Sequence, residues 1–416
     1  MGIVCKNHVF TLQTKSSTYQ MKEEGGFLFH NYYGPVIGDV DMSYLVCPMD
    51  RGFSGQPQEI VDRRFSLDTR LLEYSAYGTG DYRDYCLHAV YEDGSHVTDL
   101  RFVSYEVKEG KYALEGLPAM YQGEEKAETL EITLRDEYKN LEVVLYYGVF
   151  EDLDVITRAC KIVNQSKEQV RLLRAYSMGL DFDNKDMDML HFYGRHAMER
   201  KMERSPLQHG FQGVESRRGY SSHQQNPFVI LCKQDANEEY GWCYGASFAY
   251  SGNFSIQAEV SQMDLTRLTV GIQDTQFEFH LEPGESFTAP EVILSFSENG
   301  LGQLSRNYHK AIRHNLCRGK YKTERRPVLI NNWEATYFDF TLEKLVAIAK
   351  DAKELGIEML VMDDGWFGKR DSDYSGLGDW FVNEKKLKGG LKNLVEEVNK
   401  AGMKFGIWFE PEMISE

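Results

Sequence analysis

The spacing of apolar residues changes along this chain, and the change limits the folds that the chain can adopt. Up to about residue 300, apolar and polar residues alternate in short runs separated by turn residues. Residues 130–134 and 141–147 alternate in this way around the turn at 136–140, which predicts a β-hairpin. Many antiparallel strands without intervening helices must stack in two layers to cover their apolar faces. We therefore predict a large antiparallel β-sandwich over residues 1–300.

After residue 300 the apolar spacing becomes helical and then mixed. Residues 301–326 have helical spacing and end before Pro327, which predicts a helical linker. Residues 327–416 contain three short apolar strands separated by two amphipathic helices, at 341–355 and at about 391–401. Near-continuous apolar strands that alternate with helices are typical of parallel βα units. The fold class predicted is therefore a β domain followed by an α/β domain.

Composition excludes several classes of partner. The chain has 416 residues with 64 acidic and 47 basic side chains, a formal charge of −17 that repels phosphates and anionic headgroups. Nucleic acid and membrane are therefore not expected as partners. Its longest apolar runs, such as 359–362, are far shorter than the roughly 20 residues that cross a bilayer. The start of the chain lacks the pattern of a signal peptide, so we expect a cytoplasmic protein.

The cysteines show no pattern of a metal site or a disulfide framework. They are odd in number, widely scattered and without a Cys-x-x-Cys pair, so we interpret them as buried, reduced thiols. No metal and no other cofactor is expected. The seven positions are Cys5, Cys47, Cys86, Cys160, Cys232, Cys243 and Cys317.

Polar and aromatic residues follow each of the three predicted parallel strands. Trp333 comes after the first strand, Asp363 and Asp364 after the second, and Trp408 after the third. The carboxyl ends of parallel strands lie on one face, where active sites are found. One Asp-Asp pair more often caps a helix or forms a turn, but three such strand ends together favour a shared pocket. Aromatic faces beside carboxylates suit a carbohydrate ligand.

Four segments near these strand ends resemble consecutive barrel motifs of the microbial α-galactosidases of glycoside hydrolase family 36. A further match to that family's sandwich domain lies within residues 68–83. The resemblance implies that residues 327–416 are the first three strands of an incomplete (β/α)8 TIM barrel, the catalytic barrel of the family. The four segments are NWEA at 332–335, MDDGWFG at 362–368, LGDW at 377–380 and WFEPEM at 408–413.

The resemblance also implies an activity. It is the hydrolysis of terminal non-reducing α-D-galactosyl residues in galacto-oligosaccharides, by a retaining double displacement in the full-length parent. By the same resemblance, Asp363 and Asp364 would bind galactose hydroxyls, notably the axial one, and Trp333 and Trp408 would form the wall of that subsite. A buried polar group left unpaired by the wrong epimer costs about 1–3 kcal/mol, so such a site can discriminate between sugars.

Two further sugar contacts are implied for the sandwich region. Members of the family are often tetramers in which a sandwich loop reaches the neighbour's active site, and residues 47–53 occupy the matching place with Asp50 as the sugar contact. Tyr193 is a second implied contact, at a position where the family more often has Trp. An ordinary turn is an equally good interpretation of Asp50, because Asp is common in turns. A homo-oligomer is therefore expected at full length.

No residue of this chain is predicted to be catalytic. The nucleophile and the acid/base of a retaining glycosidase lie about 5–5.5 Å apart on opposite sides of the scissile bond. Asp363 and Asp364 are neighbours whose side chains leave a strand on opposite faces, which suits hydroxyl binding better. The resemblance implies that both catalytic carboxyls lie beyond residue 416. We expect the 416-residue chain alone to be inactive and poorly soluble.

Other functions remain open at this point. A related enzyme could act on α-N-acetylgalactosaminides, or it could transfer galactose to another sugar. A different class is a non-catalytic carbohydrate-binding module, in which the sandwich would be the functional part. The polar and aromatic residues that follow the strands of the α/β region favour the enzyme over the binding module.

Overall fold

The computed structural model describes residues 2–46, 49, 55, 57, 59–62 and 64–416. Asp50 and most of the 47–53 loop therefore lie outside the described residues. The chain divides into two compact units, residues 1–317 and 318–416. The predicted domain limits at 300 and 326 stay predictions. Within the described part, no helix is long and apolar enough to cross a membrane.

The first unit consists mainly of antiparallel strands. Their bounds are Gly2–Lys6 (β1), Val9–Gln13 (β2), Ser17–Glu24 (β3), Phe27–Pro35 (β4), Leu87–Val90 (β5), Arg101–Glu109 (β6), Ala127–Asp136 (β7), Leu141–Phe150 (β8), Val155–Asn164 (β9), Val170–Phe182 (β10), Met187–Arg195 (β11), Met198–Pro206 (β12), Gly210–Ser216 (β13), Gln225–Lys233 (β14), Cys243–Phe248 (β15), Phe254–Val260 (β16), Thr266–Ile272 (β17), Phe279–Leu281 (β18), Ser286–Thr288 (β19) and Val292–Ser297 (β20). Short 3-10 turns lie at Ser43–Leu45, Leu67–Thr69 and Glu151–Leu153.

These strands form three sheets in the described part of the unit. The largest has the order β12-β11-β14-β15-β20-β9-β8-β7-β6, with β19 beside β9. The second has the order β13-β16-β17-β10-β18, with β5 beside β10, and the third is β1-β2-β3-β4. One hydrophobic core contains residues of all three sheets, for example Leu145, Val270 and Leu12. The predicted β-sandwich is confirmed, and so is the hairpin β7–β8, in which Ile132 lies opposite Leu145.

Buried ion pairs connect the layers of the sandwich. Glu73 is fully buried, and its carboxylate accepts hydrogen bonds from Tyr19 at 2.6 Å and Tyr147 at 2.8 Å. Arg158 forms an ion pair with the same carboxylate at 2.8 Å. Burial alone would raise the pKa of Glu73, but Arg158, His30 and Tyr19 outweigh burial and hold the pKa below its ordinary value. The ionised form is thus the stable one.

A helix follows the last strand of the first unit. Helix α1, Gly300–Ala311, packs on the sandwich, where the Tyr308 hydroxyl donates to the Ile293 carbonyl of β20 at 2.9 Å. Gly300 has a φ of +73°, and a Cβ there would overlap the Asn237 carbonyl. The helix continues into a π-helical turn at Ile312–Leu316, and a 3-10 turn follows at Lys320–Lys322. The helical segment after the sandwich is therefore confirmed.

The second unit contains a parallel three-stranded sheet. Its elements are β21 (Leu329–Asn331), α2 (Trp333–Thr336), α3 (Leu342–Glu354), β22 (Met359–Met362), α4 (Gly390–Lys400) and β23 (Lys404–Ile407), and the strand order is β21-β22-β23. Gly356 and Gly402 follow the two long helices with φ of +85° and +77°, the left-handed conformation that ends a helix. This strand–helix order confirms the predicted start of a (β/α)8 barrel.

Candidate functional site

The three parallel strands end at the same edge of their sheet. Asn331 of β21 lies opposite Val361 of β22, and Met362 of β22 lies opposite Ile407 of β23. The segments that follow the three strands therefore leave the sheet at one level. This is the edge that carries the residues predicted to bind a ligand, as parallel topology requires.

Hydrogen bonds join the three strand ends. The Asn331 side-chain amide donates to Asp363 Oδ2, and the Asp363 backbone N–H donates to Asn332 Oδ1 at 2.8 Å. On the other side, Trp366 Nε1 donates to the Trp408 carbonyl at 3.0 Å. The first strand end is thus tied to the second, and the second is tied to the third.

Asp363 is the carboxylate that remains available for a ligand. Its side chain is half-buried, and it accepts hydrogen bonds from the Asn331 amide and from the Asp364 N–H at 2.7 Å. A carboxylate offers about four lone-pair positions, so about two are left for other donors. Asn331 and the backbone hold the group in one orientation.

Asp364 is committed to a buried ion pair. Its side chain and that of Arg370 are 9% and 5% exposed, and Arg370 Nη2 donates to Asp364 Oδ2 at 2.8 Å. Arg370 Nε lies 3.0 Å from both carboxylate oxygens, and the Gly365 N–H donates to Oδ1 at 2.6 Å. The sequence analysis missed Arg370, because nothing in the spacing of a loop residue indicates its partner.

Lys386 fixes the loops behind this pair. Its ammonium group donates to the carbonyls of Phe338 at 3.0 Å, Gly365 at 3.0 Å and Arg370 at 3.2 Å. Phe338 belongs to the connection after β21, whereas Gly365 and Arg370 belong to the connection after β22. One side chain therefore holds two connections together, which keeps the strand-end residues in place.

The tryptophans divide into core and accessible residues. Trp366 is 3% exposed and packs edge to face against Phe409, with ring centroids 5.2 Å apart. Trp333 and Trp408 are only half-buried. Trp333 meets Phe338 edge to face, with ring centroids 5.0 Å apart and an interplanar angle of 88°. The two predicted wall residues thus keep part of their surface open, while Trp366 has a structural role.

A second acidic group lies near the Asp364–Arg370 pair. Burial raises the pKa of Glu410, the negative charges of Glu412 and Asp364 raise it further, and Arg370 opposes them. Glu410 belongs to the 408–413 motif, although the sequence analysis did not assign it a role. The edge therefore presents several carboxyl groups beside aromatic rings.

The remaining predicted contacts lie elsewhere. Tyr193 is near the end of β11 in the first unit and is 37% exposed. Asp50 is outside the described residues. A role of either residue in ligand binding stays a prediction.

An oriented acceptor beside half-open aromatic rings can bind a ring that carries hydroxyl groups. The hydroxyls would donate to Asp363, and the apolar face of a sugar would pack on indole. This chemistry suits a neutral carbohydrate.

Family models match almost all of the chain. The model described as "Glycosyl hydrolase family 36 N-terminal domain" matches residues 26–282, and the model described as "Melibiase" matches residues 286–416. The chain belongs to glycosyl hydrolase family 36. The predicted family is confirmed, and the strand ends described above fall within the melibiase match.

Two curated relatives are similar to this family member over nearly its whole length. The bifunctional alpha-galactosidase/sucrose kinase AgaSK of Mediterraneibacter gnavus is 52% identical over 98% of this chain and 44% of the relative. The alpha-galactosidase AgaA of Geobacillus stearothermophilus is 48% identical over 98% of this chain and 56% of the relative. The chain spans about half the length of these curated relatives.

Solved structures show the same similarity. The galactosidase domain of AgaSK has a TM-score of 0.96 at 51% identity, covering 99% of this chain and 58% of that one. A variant of AgaA from Geobacillus stearothermophilus in complex with raffinose has a TM-score of 0.94 at 48% identity, covering 98% and 57%. Another AgaA variant is in complex with stachyose. Both of those AgaA variants thus bind α-galactoside oligosaccharides.

Proposed function

We propose that the chain recognises the terminal galactosyl unit in an α-galactosidase that hydrolyses galacto-oligosaccharides with retention. The observation that carries the proposal is the shared edge: Asp363, an oriented acceptor, follows the central strand, and the half-buried Trp333 and Trp408 follow the strands on either side. The similarity to α-galactosidases at 48–52% identity supports it.

Asp363 and Asp364 have different roles in this proposal. Asp363 accepts a hydroxyl directly, because about two of its lone-pair positions are unused. Asp364 is held by Arg370 and the Gly365 N–H, so its proposed part is mainly to orient the site, with a sugar contact through its small exposed surface. Trp333 and Trp408 form the wall, and Asp50 and Tyr193 are proposed as additional contacts of the assembled protein.

The chemical step is proposed for the whole protein. Retaining hydrolysis needs two carboxyls about 5–5.5 Å apart, one as nucleophile and one as acid/base. Asp363 and Asp364 are held by Asn331, Arg370 and backbone N–H groups, an arrangement that suits binding. We propose that the 416-residue chain alone is inactive, and release of nitrophenol from a nitrophenyl α-galactoside by the purified chain would contradict this.

Binding can be measured separately from catalysis. Calorimetry with the 416-residue chain should show galactose binding about tenfold or more tighter than glucose, its C4 epimer. Asp363→Asn should weaken galactose binding about 10–100-fold, because a hydrogen bond to a charged acceptor is lost. Asp373→Asn is the matched control, since Asp373 is an exposed residue of the same unit. Equal binding by Asp363→Asn and Asp373→Asn would refute the proposal.

Assembly and location complete the proposal. The whole protein would be a homo-oligomer, a tetramer by family resemblance, and sedimentation of the full-length protein tests this. A cytoplasmic location is proposed because buried thiols such as Cys86, Cys160 and Cys232 stay reduced there.

A further inference from the structure

A cavity lies in the first unit, among residues of the sandwich region. Its volume is about 310 Å³, at the lower end of the roughly 300–1,000 Å³ typical of small-molecule sites. The residues that give it chemical character are Asn31, Asp183, Asn184, Lys233 and Trp242. They come from β4, from the turn after β10, from the end of β14 and from the residue before β15.

Asn31 is a buried polar residue of the cavity lining. Its side chain is 7% exposed, and its Nδ2 finds no hydrogen-bond acceptor among the described residues. The side-chain amide has a donor end and an acceptor end, and a half-turn about its last bond exchanges them. Asn31 can therefore offer a polar atom to a ligand in the cavity.

Trp242 supplies an aromatic wall. The ring is half-buried and meets Phe296 edge to face, with centroids 5.8 Å apart and an interplanar angle of 81°. Phe296 therefore holds the indole in place. The backbone carbonyl of Trp242 accepts a hydrogen bond from the Lys233 N–H at 3.0 Å, so Trp242 and Lys233 lie beside each other at the cavity.

The charges of the cavity favour a neutral ligand. Lys233 forms no ion pair with a described residue, and Asp183 accepts a hydrogen bond from Asn184 at 2.7 Å. Asp181 is fully occupied by Arg267, which donates to both of its oxygens at 2.7 Å. One free cation and one exposed carboxylate offset each other, so neither an anion nor a cation is preferred.

We infer that this cavity is a second carbohydrate site, built from residues of the first unit and sized for a small sugar. An amide donor, an ammonium donor, a carboxylate acceptor and an indole face are the groups that bind a hydroxylated ring. The inference goes beyond the proposed function, because none of these residues is assigned to the galactosyl subsite.

The distribution of tryptophans provides the test. Trp242 is the only tryptophan of residues 1–317, whereas Trp333, Trp366, Trp380 and Trp408 lie in the second unit. The 416-residue chain labelled with 5-fluorotryptophan gives one ¹⁹F resonance per ring, assigned by Trp→Phe variants. Titration with galactose, glucose and raffinose should shift Trp242 saturably with at least one of these sugars. No shift of Trp242 with any of them would overturn the inference.

Variants separate the two sites. Asn31→Leu and Lys233→Met should each weaken the Trp242 titration, by about tenfold for a lost hydrogen bond of about 1.4 kcal/mol. Asn226→Leu is the matched control, because Asn226 lines a different cavity of the same unit. Asp363→Asn should leave the Trp242 titration unchanged while it weakens that of Trp333 and Trp408. A Trp242 shift that survives both cavity variants, or that disappears with Asp363→Asn, would also overturn the inference.

Discussion

Replacement of Arg370 by Met tests whether the buried ion pair holds the strand-end site together. The change removes three contacts to Asp364, at 2.8, 3.0 and 3.0 Å, and the hydrogen bond from Nη1 to the Ser375 carbonyl at 2.9 Å. Asp364, 9% exposed, is then left without its cation. Removal of one partner from a buried pair costs about 3–5 kcal/mol, so we expect Arg370→Met to lower the free energy of unfolding by that amount.

The assay is urea unfolding followed by tryptophan fluorescence, which reports mainly on the second unit. Lys344→Met is the matched control, because Lys344 pairs with Asp339 at 2.9 Å but the two side chains are 49% and 90% exposed. Breaking that exposed pair should cost about 0–1 kcal/mol. An equal, small loss in Arg370→Met and Lys344→Met would refute the reasoning about the buried pair.

A double-mutant cycle adds a second measurement. Arg370→Met and Asp364→Asn each leave one buried group without its charged partner, whereas the double variant leaves no charge. The summed losses of the single variants should therefore exceed the loss of the double variant by about 1–3 kcal/mol. Additive losses would mean that the two side chains stabilise the loop independently.

Three further changes have defined outcomes. Gly300→Ala should cost about 2–5 kcal/mol in urea unfolding, because it combines a left-handed φ with overlap of the Asn237 carbonyl, whereas Gly284→Ala, with φ +81° and open space, should cost only about 1–2 kcal/mol. Burial and the neighbouring His96 lower the pKa of His88 from its ordinary value of 6.5. The unfolded chain therefore binds this proton more readily, and the stability of the fold should decrease as pH drops through about 6.5. His96→Gln should lessen that decrease, and an unchanged pH profile would count against the coupling of the two histidines. The pKa of Glu73 lies below its ordinary value of 4.5, so its stabilisation is present above about pH 4.5 and is lost as pH falls towards the folded pKa. Glu73→Gln should flatten acid unfolding in this window, and a profile as steep as that of the unchanged chain would contradict the assignment.

Strands whose two faces differ in burial could be predicted from the sequence. In β7, Leu130, Ile132 and Leu134 are buried while the residues between them are less so, and the alternation is visible in the sequence. β12, Met198–Pro206, is exposed along most of its length and has no such alternation. Pairing with the adjacent β11 in a hairpin makes it a strand, and the residues of β12 carry no alternation that would indicate this.

The candidate site could likewise be predicted only in part from the sequence. Parallel topology alone places Asp363 and Trp408 at one edge, and the structure has that topology. The pairing of Asp364 with Arg370 depends on how the loop between them turns back, with positive φ at Gly365 and Gly368. Such a path is set by tertiary contacts, so sequence spacing does not reveal it.

The three carbonyls that share the Lys386 ammonium group limit how this region can change during evolution. Phe338 lies in one connection and Gly365 and Arg370 in another, and each must present its oxygen to the same nitrogen. An insertion or deletion in either connection would withdraw at least one acceptor from a partly buried cation. The two loops can therefore vary in length only together, or only after Lys386 has been replaced.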